Sequence, residues 1–383
     1  MAGIYIHIPF CIHKCYYCDF YSIINTSFIE NYITFFLKEI EHYNSIYDLK
    51  NYKINSLYFG GGTPSLLNIN QFERVFEKLY EYFFIDNDIE ITIEANPNTI
   101  DKEFLKSLRA INVNRISIGI QSFRDKELRF LQRTHTSKDA IEAIETALLY
   151  FENVSIDLIF GIPIQTQRTW LESVIKSLSY NIHHLSLYNL IYEINTPLYH
   201  DFQKGIVKKK RDEEEEKMYF AAVELLTGTG FEHYEISNFA KNNKKCIHNI
   251  AYWKCEEYFG FGPSSSGFID NKRYTNKKDL NEYIVAIQNG DLPIETTETL
   301  DKKKKIDEYI MLRLRSFGID IEEFKRNFGI DLFERNFNFI SELEKNNFLT
   351  IKDGFIKLTT KGYFVCNAIT IYFLEVINKK MII

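Results

Sequence analysis

Three cysteines fall within eight residues, Cys11-Ile12-His13-Lys14-Cys15-Tyr16-Tyr17-Cys18, a Cys-x3-Cys-x2-Cys spacing in a short polar stretch. Thiolates spaced this way can wrap one face of an iron–sulfur cubane, and three ligands for four irons leave one iron open. An amino acid can chelate that iron through its amine and carboxylate, much as a catalytic zinc keeps one position for substrate. Zinc itself would need a fourth close ligand, and His13 lies inside the loop at an awkward spacing. The other three cysteines, Cys246, Cys255 and Cys366, are scattered, which is not the pattern of a disulfide framework.

Further polar groups recur where apolar runs end. Gly60-Gly61-Gly62-Thr63-Pro64 follows one run, and its missing β-carbons let backbone groups approach a ligand closely. Glu94 ends a second run, Gln121 a third, and Asp157 lies in a fourth ahead of Gly161. Each has an ordinary reading, as a turn or as a satisfied buried polar group. Their agreement in phase makes them a candidate site at the carboxyl ends of barrel strands.

The elements that must carry them are six strand-like runs: 4–8, 56–59, 89–94, 115–121, 154–160 and 184–190. Amphipathic stretches of crossover length lie between them, 27–43, 71–84, 101–110, 137–150 and 169–180. Strand alternating with helix implies a parallel sheet. No Gly-x-Gly-x-x-Gly turn follows the first strand, so the expected fold is α/β, a partial (β/α)6 barrel, rather than a doubly wound sheet. Helices 306–315, 321–328 and 333–346, a hairpin at 349–359 and a final helix predict a smaller C-terminal winged-helix-like domain. The expected organisation is residues 1–200 for the barrel, 201–300 for a connecting region and 301–383 for the C-terminal domain.

A chain of 383 residues with 45% hydrophobic content can bury a core of that size. Its net charge of −6 gives no footprint for a polyanion, so nucleic acid is not an expected partner. The charged stretch 204–217 nearly cancels its own charges and reads as a solvated loop leading into a helix. No run reaches the roughly 20 apolar residues of a membrane span, and no signal sequence opens the chain. A cytoplasmic, reducing location is expected.

With Tyr5-x-His7-Ile8-Pro9-Phe10-Cys11, the cysteine spacing and the triple glycine, the chain resembles the radical S-adenosylmethionine (SAM) family of oxygen-independent coproporphyrinogen III oxidases and their relatives. The resemblance spans nearly the whole chain. The true dehydrogenases of that family end the motif in Cys-x-Cys, whereas here Cys18 is followed by Asp19 and Phe20. That ending, the early start of the motif, Tyr234-Glu235-Ile236-Ser237-Asn238-Phe239-Ala240 and His248-Asn249-x-x-Tyr252-Trp253 are similar to the haem-chaperone branch.

The resemblance implies a 4Fe-4S cluster on Cys11, Cys15 and Cys18, and a SAM pocket lined by Tyr5, Tyr17, Gly62, Thr63, Glu94, Gln121, Arg133 and Asp157. Arg133 would pair with the SAM carboxylate, a solvated helix-end arginine being its ordinary reading. It also implies that His248 contacts haem, with Tyr252 and Trp253 as aromatic surface, and that haem passes to an acceptor haem protein. No catalytic residue is assigned. The alternative is a radical SAM oxidoreductase acting on a porphyrinogen, whose chemistry would belong to the cofactor. Pairing into a homodimer stays open. Cys255, Cys366, His183 and His184 fit no part of this scheme and read as core or surface residues.

Overall fold

A computed structural model describes residues Met1 to Met381, so the last two residues of the C-terminal domain, 382 and 383, lie outside it. Six strands pair in sequence order and all run parallel: β1 (Ala2–Ile8), β2 (Lys53–Gly61), β3 (Phe84–Ala95), β4 (Arg115–Gln121), β5 (Asn153–Phe160) and β6 (His184–Asn189). The helices between them are α1 (Ile29–Ile46), α2 (Ile69–Tyr82), α3 (Lys102–Ala110), the short α4 (Asp125–Phe130), α5 (Ser137–Leu148) and α6 (Gln167–Leu178). Their starts are set by local chemistry. Asn68 with Gln71, Thr136 with Asp139 and Thr166 with Thr169 form capping boxes, and Asp101 caps the Phe104 amide, each worth roughly 1 kcal/mol.

Successive strand residues face opposite sides, and here the two sides differ in kind. Ile4, Ile6 and Ile8, Ile116, Ile118 and Ile120, and Val154, Ile156 and Leu158 are all buried in the apolar core. Burial of each such side chain contributes roughly 1.5–3 kcal/mol. The alternate residues meet one another instead. Tyr58 donates to Glu94, Ser117 to Asp157, and Ser155 bonds to His184. The concave side of the sheet is therefore polar, which is the wall of a site rather than of a packed core.

The sheet is open, with its strands in line rather than in a ring. Beyond β6 the chain forms α7 (Pro197–Gln203), α8 (Asp212–Gly228), β7 (Glu232–His233) and β8 (Asn238–Ala240), and β8 adds antiparallel to β6. The expected solvated stretch ends in α8, with Asp212, Glu213, Glu214 and Glu215 in its first turn, where the helix dipole favours them. The chain then crosses to the other edge through α9 (Ile247–Trp253), and β9 (Glu257–Phe261) pairs parallel with β1. Antiparallel β10 (Ser266–Ile269), β11 (Lys272–Asn276) and, after α10 (Leu280–Gln288), β12 (Ile294–Thr299) complete that edge.

The C-terminal part runs α11 (Lys302–Leu314), β13 (Ile319–Asp320), α12 (Ile321–Phe328), α13 (Leu332–Lys345), β14 (Leu349–Lys352), β15 (Phe355–Leu358), α14 (Thr360–Phe364) and α15 (Cys366–Met381). The β14–β15 turn is Asp353-Gly354, both at positive φ (52° and 82°), the two-residue hairpin such a dipeptide favours. Packing ties this part to the barrel: the Ile236 amide donates to the Arg315 carbonyl at 2.8 Å, and the rings of His233 and Tyr363 lie 4.9 Å apart. Among the described residues no helix is long and apolar enough to cross a membrane.

Candidate functional site

The cysteine loop leaves the carboxyl end of β1 and is pinned on both flanks. The Cys11 amide donates to Ile23 O at 3.0 Å and the Tyr16 amide to Leu131 O at 3.3 Å, while the Tyr16 hydroxyl reaches Asp201 at 2.5 Å. All three thiols are free and partly exposed. Two carry a donor: Thr63 Oγ1 lies 3.5 Å from the Cys11 sulfur and Arg133 Nη1 lies 3.4 Å from the Cys15 sulfur. Burial pushes the Cys18 thiol up to about 11, against a bond from the Phe20 backbone, and Cys15 and Cys11 add to the rise. The two neighbouring sulfurs thus oppose ionisation of Cys18, which a bound cationic group relieves.

Among the described residues no three His, Cys, Asp or Glu side chains converge as ligands for one ion. A cubane is wider than an ion, because each thiolate binds its own corner iron. The donor set fits it: three reachable thiols on a single loop, none in a disulfide, with a guanidinium alongside.

The triple glycine has a job the sequence did not show. A β-carbon at Gly61 (φ 107°) would stand 2.6 Å from the His7 ring, and one at Gly62 would stand 2.6 Å from Phe10 O. The missing atoms there make room for β1 and the start of the cysteine loop, rather than for a ligand. Gly60 alone faces the interior, beside Tyr5 and Glu94.

Glu94 accepts from Tyr58 Oη at 2.7 Å, and burial raises its carboxyl to about 7, with Asp157 adding to the rise. Burial likewise raises Asp157, against hydrogen bonds from Ser186 and Ser117. An ammonium group would lower both, so this pair suits the amine of an amino acid.

Arg133 lies inside the barrel mouth, not at a solvated helix end. Its Nη2 donates to Asn96 and to Gly119 O at 2.8 Å, while its Nε is buried without a partner. Gln121 holds a left-handed φ of 65°, and its buried Oε1 also lacks a partner. Unpaired buried polar atoms beside a cysteine loop, together with strained backbone, are what a binding site leaves open. SAM fits these residues, and bound at a cluster it supplies one-electron radical chemistry. Three further residues belong to this mouth: Tyr58 on Glu94, Asn96 bridging Arg133 and Thr63, and His7 bonded to Tyr5 and Tyr21 O. Tyr58 and His7 share the inward strand phase of Tyr5 and Glu94, a signal the sequence already contained.

His248 sits deeper in the same interior, toward the amino ends of β1 and β2, its ring stacked on Tyr58 at 5.0 Å between centroids. The first amides of α9 donate to the buried Glu90, at 3.1 Å from both Ile247 and His248. The His248 ring is 1% exposed, with Nδ1 2.9 Å from Ser56 Oγ and Nε2 2.8 Å from Tyr252 Oη. Burial holds its pKa down to about 3, so it is neutral. Neither nitrogen is free in this conformation. The expected haem contact therefore needs α9 to move, because the ring's one N–H and its one lone pair are each engaged by a hydroxyl.

Known proteins share this arrangement. Residues 5–175 match the radical SAM superfamily and residues 300–365 the HemN C-terminal domain. The chain is 36% identical over 327 residues to the Lactococcus lactis protein named heme chaperone HemW, covering 84% of this chain and 83% of that relative. This chain belongs to the HemW family. The Bacillus subtilis HemW is 36% identical over 318 residues, 82% of this chain and 83% of its own. A mouse mitochondrial protein named radical S-adenosyl methionine domain-containing protein 1 is 36% identical over 268 residues, 70% of this chain and 60% of its own. The Escherichia coli coproporphyrinogen III oxidase HemN, a radical SAM enzyme, superposes with a TM-score of 0.83 at 23% identity, over 97% of this chain and 90% of HemN. That likeness establishes a fold common to HemN and this HemW-family chain. Membership of the radical SAM superfamily implies a 4Fe-4S cluster and SAM.

Proposed function

We propose that this protein binds haem and passes it to an acceptor haem protein in the cytoplasm. Cys11, Cys15 and Cys18 hold the cluster, and SAM occupies the barrel mouth between Glu94, Asp157, Gln121 and Arg133. Residues 1–200 are the cofactor-binding part, 201–300 carry the haem-linked motif, and 301–383 cover the barrel edge. His248 becomes an iron ligand when α9 releases it. The reading is carried by identity over most of the chain to relatives named heme chaperone, and it agrees with Phe20, 69% exposed, in place of a fourth cysteine.

Anaerobically reconstituted protein is titrated with haem, mixed with an apo-haem protein, and separately incubated with coproporphyrinogen III, SAM and a reductant. The expected result is stoichiometric haem uptake, transfer of the Soret band to the acceptor, and no protoporphyrinogen. Turnover of the porphyrinogen without haem retention would replace this reading with the oxidoreductase one.

A further inference from the structure

Under the amino ends of β5 and β6, at the end of the barrel away from the cysteines, two adjoining clefts of about 510 and 490 Å³ share Tyr150, Glu152 and Lys244 in their walls. His183 lines the first. Its Nδ1 lies 3.2 Å from the Glu152 carbonyl oxygen. A carbonyl only accepts, so Nδ1 carries the proton and the lone pair is left on Nε2. Among the described residues no hydrogen bond reaches Nε2. Metal-ligating histidines are held in this way, one nitrogen on a backbone carbonyl and the other facing the metal.

The surroundings suit a particular kind of ligand. Leu149, 71% exposed, and Tyr150 make an apolar wall. Lys244 Nζ stands 3.7 Å from the Glu152 carboxylate, itself 92% exposed, so the ammonium is only loosely held. A flat apolar molecule with a metal at its centre and carboxylates on its rim uses an imidazole lone pair, an apolar wall and a cation together. The cleft is also joined to the His248 segment. The Lys241 amide donates to His183 O at 3.0 Å, and Asn242 and Asn243, one lining each cleft, hold left-handed φ values of 54° and 59° on the way into α9.

We propose that His183 is the resting haem contact of this protein: haem is held in the cleft at the barrel base with its iron on His183 Nε2 and a propionate toward Lys244, while α9 stays closed over His248 until an acceptor is engaged. This site rests on the haem-binding reading above. His183 is half-buried in a connecting segment, so its replacement leaves the barrel intact.

The test is haem titration of the full-length, cluster-loaded protein, wild type against His183→Ala and His183→Gly, with iron content and thermal melting as checks on folding. Affinity should fall at least about tenfold in both variants, with a shifted Soret band, and free imidazole should restore the wild-type band in His183→Gly. Wild-type affinity and Soret position in His183→Ala would overturn the site and leave the haem reading standing. Loss of affinity that imidazole does not repair would overturn ligation by Nε2. Failure of the wild type itself to take up haem would remove the haem-binding reading, and this site with it.

Discussion

Arg133 points a guanidinium nitrogen at the sulfur of Cys15, 3.4 Å away, across 118 residues of sequence. The contact joins the α4–α5 connection to the loop after β1, and it puts a permanent cation where a thiolate and a substrate carboxylate would both gain from it.

Replacing Arg133 with Gln should therefore leave the three thiols able to bind iron but weaken SAM. Loss of a charge-assisted hydrogen bond costs roughly 1.5–3 kcal/mol, about 10- to 150-fold in affinity. Equilibrium binding of SAM to the reconstituted variant measures it. Unchanged affinity would place the SAM carboxylate elsewhere.

His248 ties α9 to β2 through Nδ1 on Ser56 Oγ, while its Nε2 bonds Tyr252 within the same helix. His248→Ala should therefore destabilise the haem-free protein by roughly 2–4 kcal/mol, since it opens a cavity and strips Tyr252 Oη of its partner. A thermal melt lowered by several degrees in the absence of haem is the expected result. An unchanged melt would mean that the ring contributes nothing to the closed structure.

Glu39 binds the Gly262 amide at 2.8 Å and the Asn276 and Tyr283 side chains at 2.6 Å each, fastening the loop beside His7 to α1. Burial raises its pKa to about 7 from an ordinary 4.5, against those three bonds. Between these values the folded protein keeps a proton that the unfolded chain releases. Stability from this group is therefore full below about 4.5 and is lost as pH rises through about 7. Denaturant unfolding at pH 5 and pH 8 should show a loss on the order of 3 kcal/mol that Glu39→Gln, which has no carboxyl to titrate, does not show. Equal losses in both proteins would contradict it.

Much of the fold was legible because strand and helix signals here are local. The run 115–121 became β4 and the run 321–328 became α12 without change of boundary. The pairing of β9 with β1 was not legible, since five residues more than 250 positions away carry no local mark of a parallel partner. The polar lining is visible as alternation, Arg115-Ile-Ser117-Ile-Gly119-Ile-Gln121, but alternation alone does not say which of these groups meet across the sheet. His248 illustrates the limit. A histidine followed by Tyr252 and Trp253 reads the same whether its ring faces a haem or is wedged between Ser56 and Tyr252, and only the tertiary neighbours distinguish the two. His183 had no sequence signal, because its standing depends on a carbonyl 31 residues earlier in the chain.

Everything in the site is arranged about three thiols, and the most direct measurement is iron and sulfide content with electron paramagnetic resonance after anaerobic reconstitution. The account predicts about four irons and four sulfides per chain, a reduced-cluster signal that SAM perturbs, and loss of both in Cys11→Ala, Cys15→Ala and Cys18→Ala. Zinc in place of the cluster, or full iron loading in any of those variants, would contradict it.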